Sequence, residues 1–225
     1  MKQSFSLRRA EFFGGAALGL SVVATTQTNA IAAEGDALEN LRSGNARFVS
    51  GRPTCRDLSN RRAQLVGGQS PFAIVVSCSD SRVPVETVFD QEPGHIFGVR
   101  VAGNFVDPAG LGSIEYSVAV LKSSLILVLG HHECGAIKAA MDYVKSGKTF
   151  PGHIQTLAVT LAPSAKKSKS QPGDWLNNAI AQNVRDTVAA LPSRSNIIAE
   201  AVSNGSLKIA GGVYDLASGK VAFLE

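Results

Sequence analysis

The sequence predicts an α/β protein whose central sheet is mainly parallel and is flanked by helices. Two short apolar runs rich in β-branched residues, 72–77 and 125–129, are typical of buried strands. Amphipathic segments with apolar residues three and four positions apart separate such runs, which indicates crossover helices. Residues 207–214 and 221–224 flank a turn at 217–220, so they predict a C-terminal hairpin. We therefore expect a sheet of order 2-1-3-4 with an antiparallel C-terminal edge strand.

The individual elements follow from local periodicity. The predicted strands are 72–77, 95–101, 125–129, 207–214 and 221–224. The predicted helices are 35–50, 111–122, 134–144 and 174–191, with a shorter one near 153–161 in a segment rich in Lys, Ser, Pro and Gly. Pro192 is expected to follow the helix at 174–191, because proline interrupts helical hydrogen bonding. A solvated loop is expected at Lys166, Lys167 and Lys169.

Length and composition restrict the class of protein. The chain has 225 residues, of which 44 % are hydrophobic and 18 % charged, so it can bury a core and forms one large domain or at most two small ones. We expect a single domain over residues 34–225. Three cysteines are too few for a disulfide scaffold. The formal net charge of +4 comes without a basic stripe, so the sequence does not indicate a nucleic-acid partner.

Residues 1–33 have the pattern of a secretory signal peptide. Basic residues ending in Arg8-Arg9 precede an apolar run over 12–24 that is too short to span a bilayer. A polar stretch then leads to an Ala-Ile-Ala cleavage pattern, and the cleavage point within 30–33 stays open. The twin arginines favour the Tat route over Sec, which predicts export to the periplasm and no membrane span in the mature protein. The alternative is an N-terminal hydrophobic helix packed on the domain.

Two cysteines and a histidine follow the two clearest strands. Cys78 follows the strand at 72–77, and His131 and Cys134 follow the strand at 125–129. Because ligands of parallel sheets bind at the carboxyl ends of strands, we expect these side chains to converge. Two thiolates and an imidazole suit zinc, with one position left for another ligand. A helix is expected to begin near Cys134, and its N-terminus should lower the pKa of the Cys134 thiol.

The fourth position has two alternative assignments. Asp80 lies two residues after Cys78 in extended chain, so both side chains point the same way and Asp80 can be the fourth ligand. Arg82 can instead hold Asp80 away from the metal through a bidentate ion pair. A purely structural role for buried cysteines and a hydrogen-bonded histidine is disfavoured, because both motifs end neighbouring strands and one contains an Asp–Arg pair.

At these residues the sequence resembles the β-class carbonic anhydrases. The motifs that carry the resemblance are Cys-Ser-Asp-Ser-Arg-Val-Pro at 78–84, Arg-Val-Ala-Gly-Asn at 100–104, Gly-Leu-Gly-Ser-Ile-Glu-Tyr at 110–116, Gly-His-x-x-Cys-Gly-Ala at 130–136, Asn-Val-Arg at 183–185 and Tyr-Asp-Leu-x-x-Gly-x-Val at 214–221. They extend over nearly all of the chain after the signal segment. The resemblance implies the fold of that family and reversible hydration of CO₂ to bicarbonate and a proton, by attack of zinc-bound hydroxide.

The resemblance also implies roles for individual residues. Cys78, His131 and Cys134 match the constant ligands of one Zn²⁺ per chain, and Asp80 with Arg82 matches the dyad that exchanges the fourth ligand. Three further residues match substrate-binding positions of the family: the hydrogen-bonding Gln69 and the apolar Phe97 and Tyr116. The implied substrate is a small molecule, CO₂ or bicarbonate. The implied assembly is a homodimer or a higher homo-oligomer with active sites at the subunit interface.

Three other functions stay open at this point. Relatives on the same scaffold hydrolyse carbonyl sulfide or carbon disulfide, which are linear molecules like CO₂. A non-catalytic zinc protein is a second alternative, although a closed structural site has no need of Arg82 as a competitor for one ligand. A thiol-redox protein is a third, but it would want a Cys-x-x-Cys pair, whereas Cys78 and Cys134 are far apart in the sequence.

Overall fold

Strands and helices alternate along the part of the chain that the structure describes, a computed structural model covering residues 36–54 and 56–224. The strands are β1 (Ala73–Ser77), β2 (Ile96–Arg100), β3 (Leu125–His131), β4 (Lys208–Tyr214) and β5 (Val221–Leu224). The helices are α1 (Ala37–Val49), α2 (Leu58–Gln64), α3 (Val85–Val88), α4 (Pro108–Ala119), α5 (Gly135–Ser146), α6 (Ile154–Ser168), α7 (Trp175–Arg194) and α8 (Asn196–Ser203). Within these described ranges, no helix is long and apolar enough to cross a membrane. The predicted signal peptide at 1–33 and the predicted domain boundary after it lie outside the described residues.

The five strands form one sheet in the order β2-β1-β3-β4-β5. The first four strands of this order are parallel, and β5 pairs antiparallel with β4. The predicted fold class, the 2-1-3-4 order and the antiparallel C-terminal strand are therefore confirmed. β1 and β3 are central and buried along their whole length. Their burial on both faces explains why their sequences are continuous apolar runs rather than alternating ones.

Helices cover both faces of the sheet, because the central strands carry apolar side chains on each face. On β1, Ile74 and Val76 point into one core, whereas Val75 points into the other, as the alternation of side chains along a strand requires. The first core includes Ile180 of α7, and the second includes Leu41 of α1. Residues of α4 to α8 thus line one face, and α1 and α3 line the opposite face.

α7 approaches the sheet closely at Gly130 of β3. A Cβ atom built there would lie 2.8 Å from Val184 Cγ2 and 3.1 Å from Ile180 Cγ2. Contacts that short do not occur in a close-packed interior, so only glycine lets the helix lie against the strand at this point. This contact with α7 supports β3 at Gly130, and the next residue, His131, is the last of the strand.

α6 is longer than the sequence predicts. The short helix expected near 153–161 extends over 15 residues to Ser168. The lysines expected in a solvated loop therefore lie at the end of this helix: Lys166, Lys167 and Lys169. The helix continues because Leu161 is buried in the core and Lys167 Nζ donates to Asp186 Oδ1 of α7 at 2.7 Å. These are contacts between helices, which local composition does not reveal.

α7 continues past Pro192 to Arg194, whereas the sequence predicts that Pro192 follows the helix. Tertiary contacts offset the helical hydrogen bond that proline removes. Leu191 is buried, and Arg194 Nη1 donates to Val106 O at 2.7 Å. The sequence also does not predict α2, α3 and α8, because helices of four to eight residues carry little periodicity.

Asn45 of α1 joins the N-terminal helix to the C-terminal hairpin, so we expect its replacement to destabilise the fold. Its Nδ2 donates to Val88 O at 3.0 Å and Gly219 O at 2.9 Å, and its Oδ1 accepts from the Val221 N–H at 2.9 Å. Asn45→Leu leaves these groups unpaired, which should lower the free energy of unfolding by about 1–3 kcal/mol in urea denaturation. Ser43→Ala, an exposed change on the same helix, is the control and should stay within about 0.5 kcal/mol of the parent. Equal urea midpoints for both variants would contradict this role of Asn45.

Candidate metal centre

The ends of β1 and β3 place two cysteines and a histidine side by side. Cys78 follows β1 directly, His131 is the last residue of β3, and Cys134 is the N-cap residue of α5. One ligand atom of each residue lies within 4.8 Å of the others. All three residues are buried, with at most 5 % of their surface exposed. The parallel pairing of Ser77 with Leu129 brings the two strand ends to the same level, which explains the convergence.

The backbone orients the ring of His131. Its Nδ1 lies 2.8 Å from the carbonyl oxygen of His132. Because a carbonyl oxygen only accepts, Nδ1 carries the proton and Nε2 keeps its lone pair. Nε2 is buried and has no hydrogen-bond partner among the described residues. A buried lone pair held in this way, beside two thiols, has the orientation of a metal-binding histidine.

The two thiols perturb each other strongly. A hydrogen bond with Cys134 lowers the pKa of the Cys78 thiol, and His131 and the backbone N–H of Gly103 shift it in the same direction. The same thiol pair and burial raise the pKa of Cys134, which the N–H groups at the start of α5 oppose. The expectation of a lowered pKa for Cys134 is therefore wrong for the two thiols by themselves, because its neighbour outweighs the helix N-terminus. A cation reverses this balance, since thiols that coordinate a metal lose their protons.

The donor set fits a borderline or soft divalent metal ion. Two thiolate sulfurs and one imidazole nitrogen are ligands that such ions prefer in proteins. Two buried thiolates are costly without a cation, because unpaired charge is unfavourable in the interior. The unpartnered Nε2 of His131 is an independent indication. The cluster of Cys78, His131 and Cys134 can therefore hold a metal ion.

Asp80 lies beside this cluster and is held by Arg82. Nε of Arg82 donates to Asp80 Oδ1 at 2.9 Å, its Nη2 donates to Oδ2 at 2.7 Å, and its backbone N–H donates to Oδ1 at 3.0 Å. Asp80 Oδ2 is 3.8 Å from His131 Nε2. The hydrogen bonds from Arg82 hold the pKa of Asp80 well below its usual range, although burial opposes this shift. The structure shows the Asp80–Arg82 ion pair, with the carboxylate adjacent to the ligand atoms, and the fourth ligand of a metal stays a prediction.

Two residues that the sequence analysis did not single out orient the segment around Cys78. Arg100, the last residue of β2, donates from Nε and Nη2 to Cys78 O at 3.1 and 3.0 Å, and from Nη2 to Asp80 O at 2.8 Å. The N–H of Gly103 donates to Cys78 Sγ at 3.3 Å. Both residues belong to the motif at 100–104, which was the available signal in the sequence. Only the pairing of β2 with β1 brings them to the site.

The turn after His131 is fixed by backbone contacts. The His132 N–H donates to Tyr214 O at 2.9 Å, which extends the contact between β3 and β4. Glu133 has a φ of 60°, in the left-handed region, so the chain reverses sharply before α5. The His132 side chain is paired with Asp215, with 3.3 Å between Nδ1 and Oδ2. His132 thus supports His131 through its carbonyl group rather than through its ring.

The three predicted substrate-binding residues lie at two places in the fold. Phe97 of β2 and Tyr116 of α4 are in contact, with ring centroids 6.4 Å apart and an interplanar angle of 41°. Phe97 is half-buried, and Tyr116 is 49 % exposed. Gln69 lies in an exposed loop before β1. The structure brings the two aromatic residues together, and the substrate-binding role of all three stays a prediction.

A parallel sheet with a Cys–His–Cys cluster and an Asp–Arg pair at its carboxyl edge defines a candidate metalloenzyme, and comparison with known proteins gives its family. The family profile described as "Carbonic anhydrase" matches residues 73–221. Carbonic anhydrase 2 of Mycobacterium tuberculosis is 41 % identical over 186 residues, which cover 82 % of this chain and 90 % of that protein. The carbonic anhydrase of Mycolicibacterium smegmatis is 43 % identical over 182 residues, which cover 80 % and 88 % of the two chains.

Solved structures agree with this result. A tetrameric β-carbonic anhydrase from Sordaria macrospora has a TM-score of 0.66 at 27 % identity, covering 74 % of this chain and 86 % of that one. The Coccomyxa β-carbonic anhydrase, solved in complex with acetazolamide, has a TM-score of 0.65 at 27 % identity, covering 83 % and 84 %. This chain therefore belongs to the β-class carbonic anhydrases, a family of carbonate dehydratases, and the resemblance seen in the sequence is confirmed.

Cys134→Ser should abolish metal binding by the cluster. A serine hydroxyl stays protonated near neutral pH and is a poor substitute for a thiolate ligand. We expect the metal content after dialysis, measured by inductively coupled plasma mass spectrometry, to fall from about one ion per chain to near zero. Cys55→Ser, which changes the cysteine outside both motifs, is the matched control and should keep the parent's content. Full metal occupancy in Cys134→Ser would exclude Cys134 as a ligand.

Proposed function

We propose that this protein catalyses the reversible hydration of CO₂ to bicarbonate and a proton, with one zinc ion held by Cys78, His131 and Cys134. The observation that carries the proposal is the Asp80–Arg82 ion pair beside three convergent ligand groups, with 3.8 Å between Asp80 Oδ2 and His131 Nε2. A closed structural zinc site would have no use for such a pair. Family membership supports the choice of substrate. When bound, zinc supplies the hydroxide nucleophile by lowering the pKa of a water molecule.

The ligand set determines the pH at which that nucleophile is available. Cys78 and Cys134 bring two negative charges that formally neutralise Zn²⁺, whereas His131 is a neutral ligand. An ion held in this way is a weaker Lewis acid than one held by three neutral histidines, because the thiolates donate more charge. The proposed enzyme therefore needs a higher pH to reach full activity than a three-histidine site does.

Asp80 accepts a hydrogen bond from the hydroxide nucleophile in this proposal. Its carboxylate is held by both side-chain donors of Arg82 and lies next to the ligand atoms. In that position it can stay ionised, accept this hydrogen bond and so orient the lone pair of the nucleophile toward the carbon of CO₂. Release by Arg82 would let the same carboxylate bind the metal as a fourth ligand and close the site. Arg82 thus keeps the site open by competing for Asp80.

The substrate pocket includes Gln69, Phe97 and Tyr116 in this proposal. The aromatic contact between Phe97 and Tyr116 offers an apolar wall suited to CO₂, and Gln69 offers a hydrogen-bond donor to a bicarbonate oxygen. Gln69 and Tyr116 are exposed in the single chain. A second copy covering this edge would complete the pocket, so we propose a homodimer or a higher homo-oligomer. The Sordaria macrospora protein described as tetrameric supports this assembly.

Export to the periplasm is the proposed location of the enzyme. The support is the sequence of residues 1–33, in which Arg8-Arg9 precedes a short apolar run and an Ala-Ile-Ala pattern. The twin-arginine route carries folded proteins, which suits a chain that acquires its metal before transport. In this proposal the leader is removed and the mature chain has no membrane span.

The function is tested by stopped-flow measurement of CO₂ hydration, with zinc per chain determined on the same sample. We expect about one zinc per chain and hydration far above the buffer rate. The matched control is Cys134→Ser, which should have neither zinc nor activity. Carbon disulfide hydrolysis is assayed in parallel. Stoichiometric zinc with no CO₂ hydration would reject the proposal, and turnover of carbon disulfide alone would replace it with the alternative hydrolase.

The pH–rate profile should rise from mildly acidic to alkaline pH. Arg82 lowers the pKa of Asp80, so Asp80 is a carboxylate throughout this range and its titration cannot cause the rise. The rise instead reflects the supply of hydroxide at a metal whose charge two thiolates have reduced. Hydration rates are measured across the range, with zinc content and circular dichroism as controls for loss of metal or unfolding. A flat profile would contradict the proposed ligand set.

Arg82→Ala should keep the metal and lose most of the activity. Without the guanidinium the pKa of Asp80 returns toward its ordinary value of about 4, so Asp80 stays ionised at neutral pH but is no longer held in place. We expect kcat for CO₂ hydration to fall roughly a hundredfold through loss of orientation and competition for the metal. Arg62→Ala, an exposed arginine of α2, is the control and should leave both zinc content and kcat unchanged. Unchanged turnover in Arg82→Ala would reject the role of the ion pair.

A further inference from the structure

Asn183 of α7 is connected to the metal centre indirectly, through the backbone of Gly103. Its Nδ2 donates to the carbonyl oxygen of Gly103 at 2.8 Å, a buried contact between residues 80 positions apart in the chain. The N–H of the same glycine donates to Cys78 Sγ at 3.3 Å, also in the interior. Asn183 is only 4 % exposed. The two hydrogen bonds form a continuous connection from a helix on one face of the sheet to a sulfur atom of the cluster.

The direction of the Gly103 N–H depends on the conformation of a tight turn. The Asn104 N–H donates to Val101 O at 2.9 Å, which closes a four-residue turn with Gly103 in the third position. Gly103 has a φ of 84°, as a type II turn requires at that position. In a type I turn the peptide group between the second and third residues is flipped, so the same N–H would point away from Cys78.

The surroundings of Gly103 are crowded, and among the described residues the Asn183 side chain donates to its carbonyl oxygen. A Cβ atom at this position would lie 2.5 Å from Leu161 Cδ1 and 3.2 Å from Ala136 Cβ. A glycine is intrinsically free to adopt other φ values, so its conformation must be held by its contacts. The hydrogen bond from Asn183 to its carbonyl oxygen anchors this residue from outside the turn.

We propose that Asn183 is a positioning residue of the metal centre, because its hydrogen bond anchors Gly103, and with it the turn, where the Gly103 N–H reaches Cys78 Sγ. This inference rests on the metal site proposed above. A hydrogen bond to a ligating sulfur withdraws electron density from it, so the sulfur donates less charge to the metal. The contact thereby offsets part of the loss of Lewis acidity that two thiolate ligands cause.

The test uses the full-length protein loaded with Co²⁺ in place of zinc, because the thiolate-to-cobalt charge-transfer band reports electron density on sulfur independently of turnover. Asn183→Leu removes the donor at similar volume. Asn183→Ala removes it and leaves room beside a cavity of about 500 Å³ that Asn183 lines. We expect both variants to shift the band to lower energy, because Cys78 Sγ then keeps more electron density. We also expect cobalt binding to weaken roughly tenfold in competition with a chelator, because the sulfur is held less firmly in place. Their zinc forms should reach half-maximal CO₂ hydration at a higher pH than the parent.

Asn45→Leu is the matched control. Asn45 is also a buried asparagine whose Nδ2 donates to backbone carbonyl groups, but it lies between α1 and the C-terminal hairpin. Its replacement should cost stability and leave the band and the metal affinity at the parent's values. The comparison separates a general loosening of the fold from a change in the sulfur ligand.

Three results would count against the proposal. Equal band energies in the parent and both Asn183 variants would overturn it, whatever the effect on stability. A shift in Asn45→Leu as large as in Asn183→Leu would also overturn it, because loosening of the fold would then explain both. A parent protein without any thiolate-to-cobalt band would instead reject the proposed metal site, so failure of the two proposals is distinguishable. If Asn183→Leu does not fold, the band energy of Asn183→Ala is compared with that of the parent and tests the proposal alone.

Discussion

The register in which β1 pairs with β3 is the constraint on which the site depends. Ser77 is opposite Leu129, so Cys78 emerges beside the last two residues of β3 and meets His131. A slip of one residue would send these side chains to opposite faces of the sheet and separate the ligands. Both strands are buried on both faces, which fixes this register by packing. The cluster thus takes its geometry from the two central strands, which are buried on both faces.

The positions of the charged side chains around the cluster matter as well as their number. The two buried cysteines, once deprotonated, and the Asp80 carboxylate bring like charges close together, an arrangement that is unfavourable without cations nearby. Arg82 neutralises Asp80 directly through two hydrogen bonds. Arg100 instead donates to the carbonyl groups of Cys78 and Asp80 and so holds the backbone between them. One arginine therefore controls the carboxylate, and the other controls the chain that carries it.

Backbone groups from separate layers of the fold position the ligands. His131 is oriented by the carbonyl of His132, whose N–H is bound by Tyr214 of β4. Cys78 Sγ accepts from Gly103 in the loop after β2, and Gly103 is held by α7 through Asn183. Support of this kind limits the freedom of the ligands, which a metal site needs if one position is to stay available for reaction. The sheet and the helix behind it thus act together on one site.

Short segments of the sequence by themselves determined the central strands, the types of metal-binding residue and the edge of the sheet where these residues meet. Apolar runs and the positions of Cys78 and His131 directly after or at the end of them are local features, so periodicity and composition reveal them. Only the tertiary structure decided that α7 continues through Pro192, because contacts with other elements offset the hydrogen bond that proline removes. It also decided the roles of Arg100 and Asn183, whose partners lie 22 and 80 residues away in the chain. No local pattern specifies such contacts, since they exist only once distant segments have packed against the same strand ends.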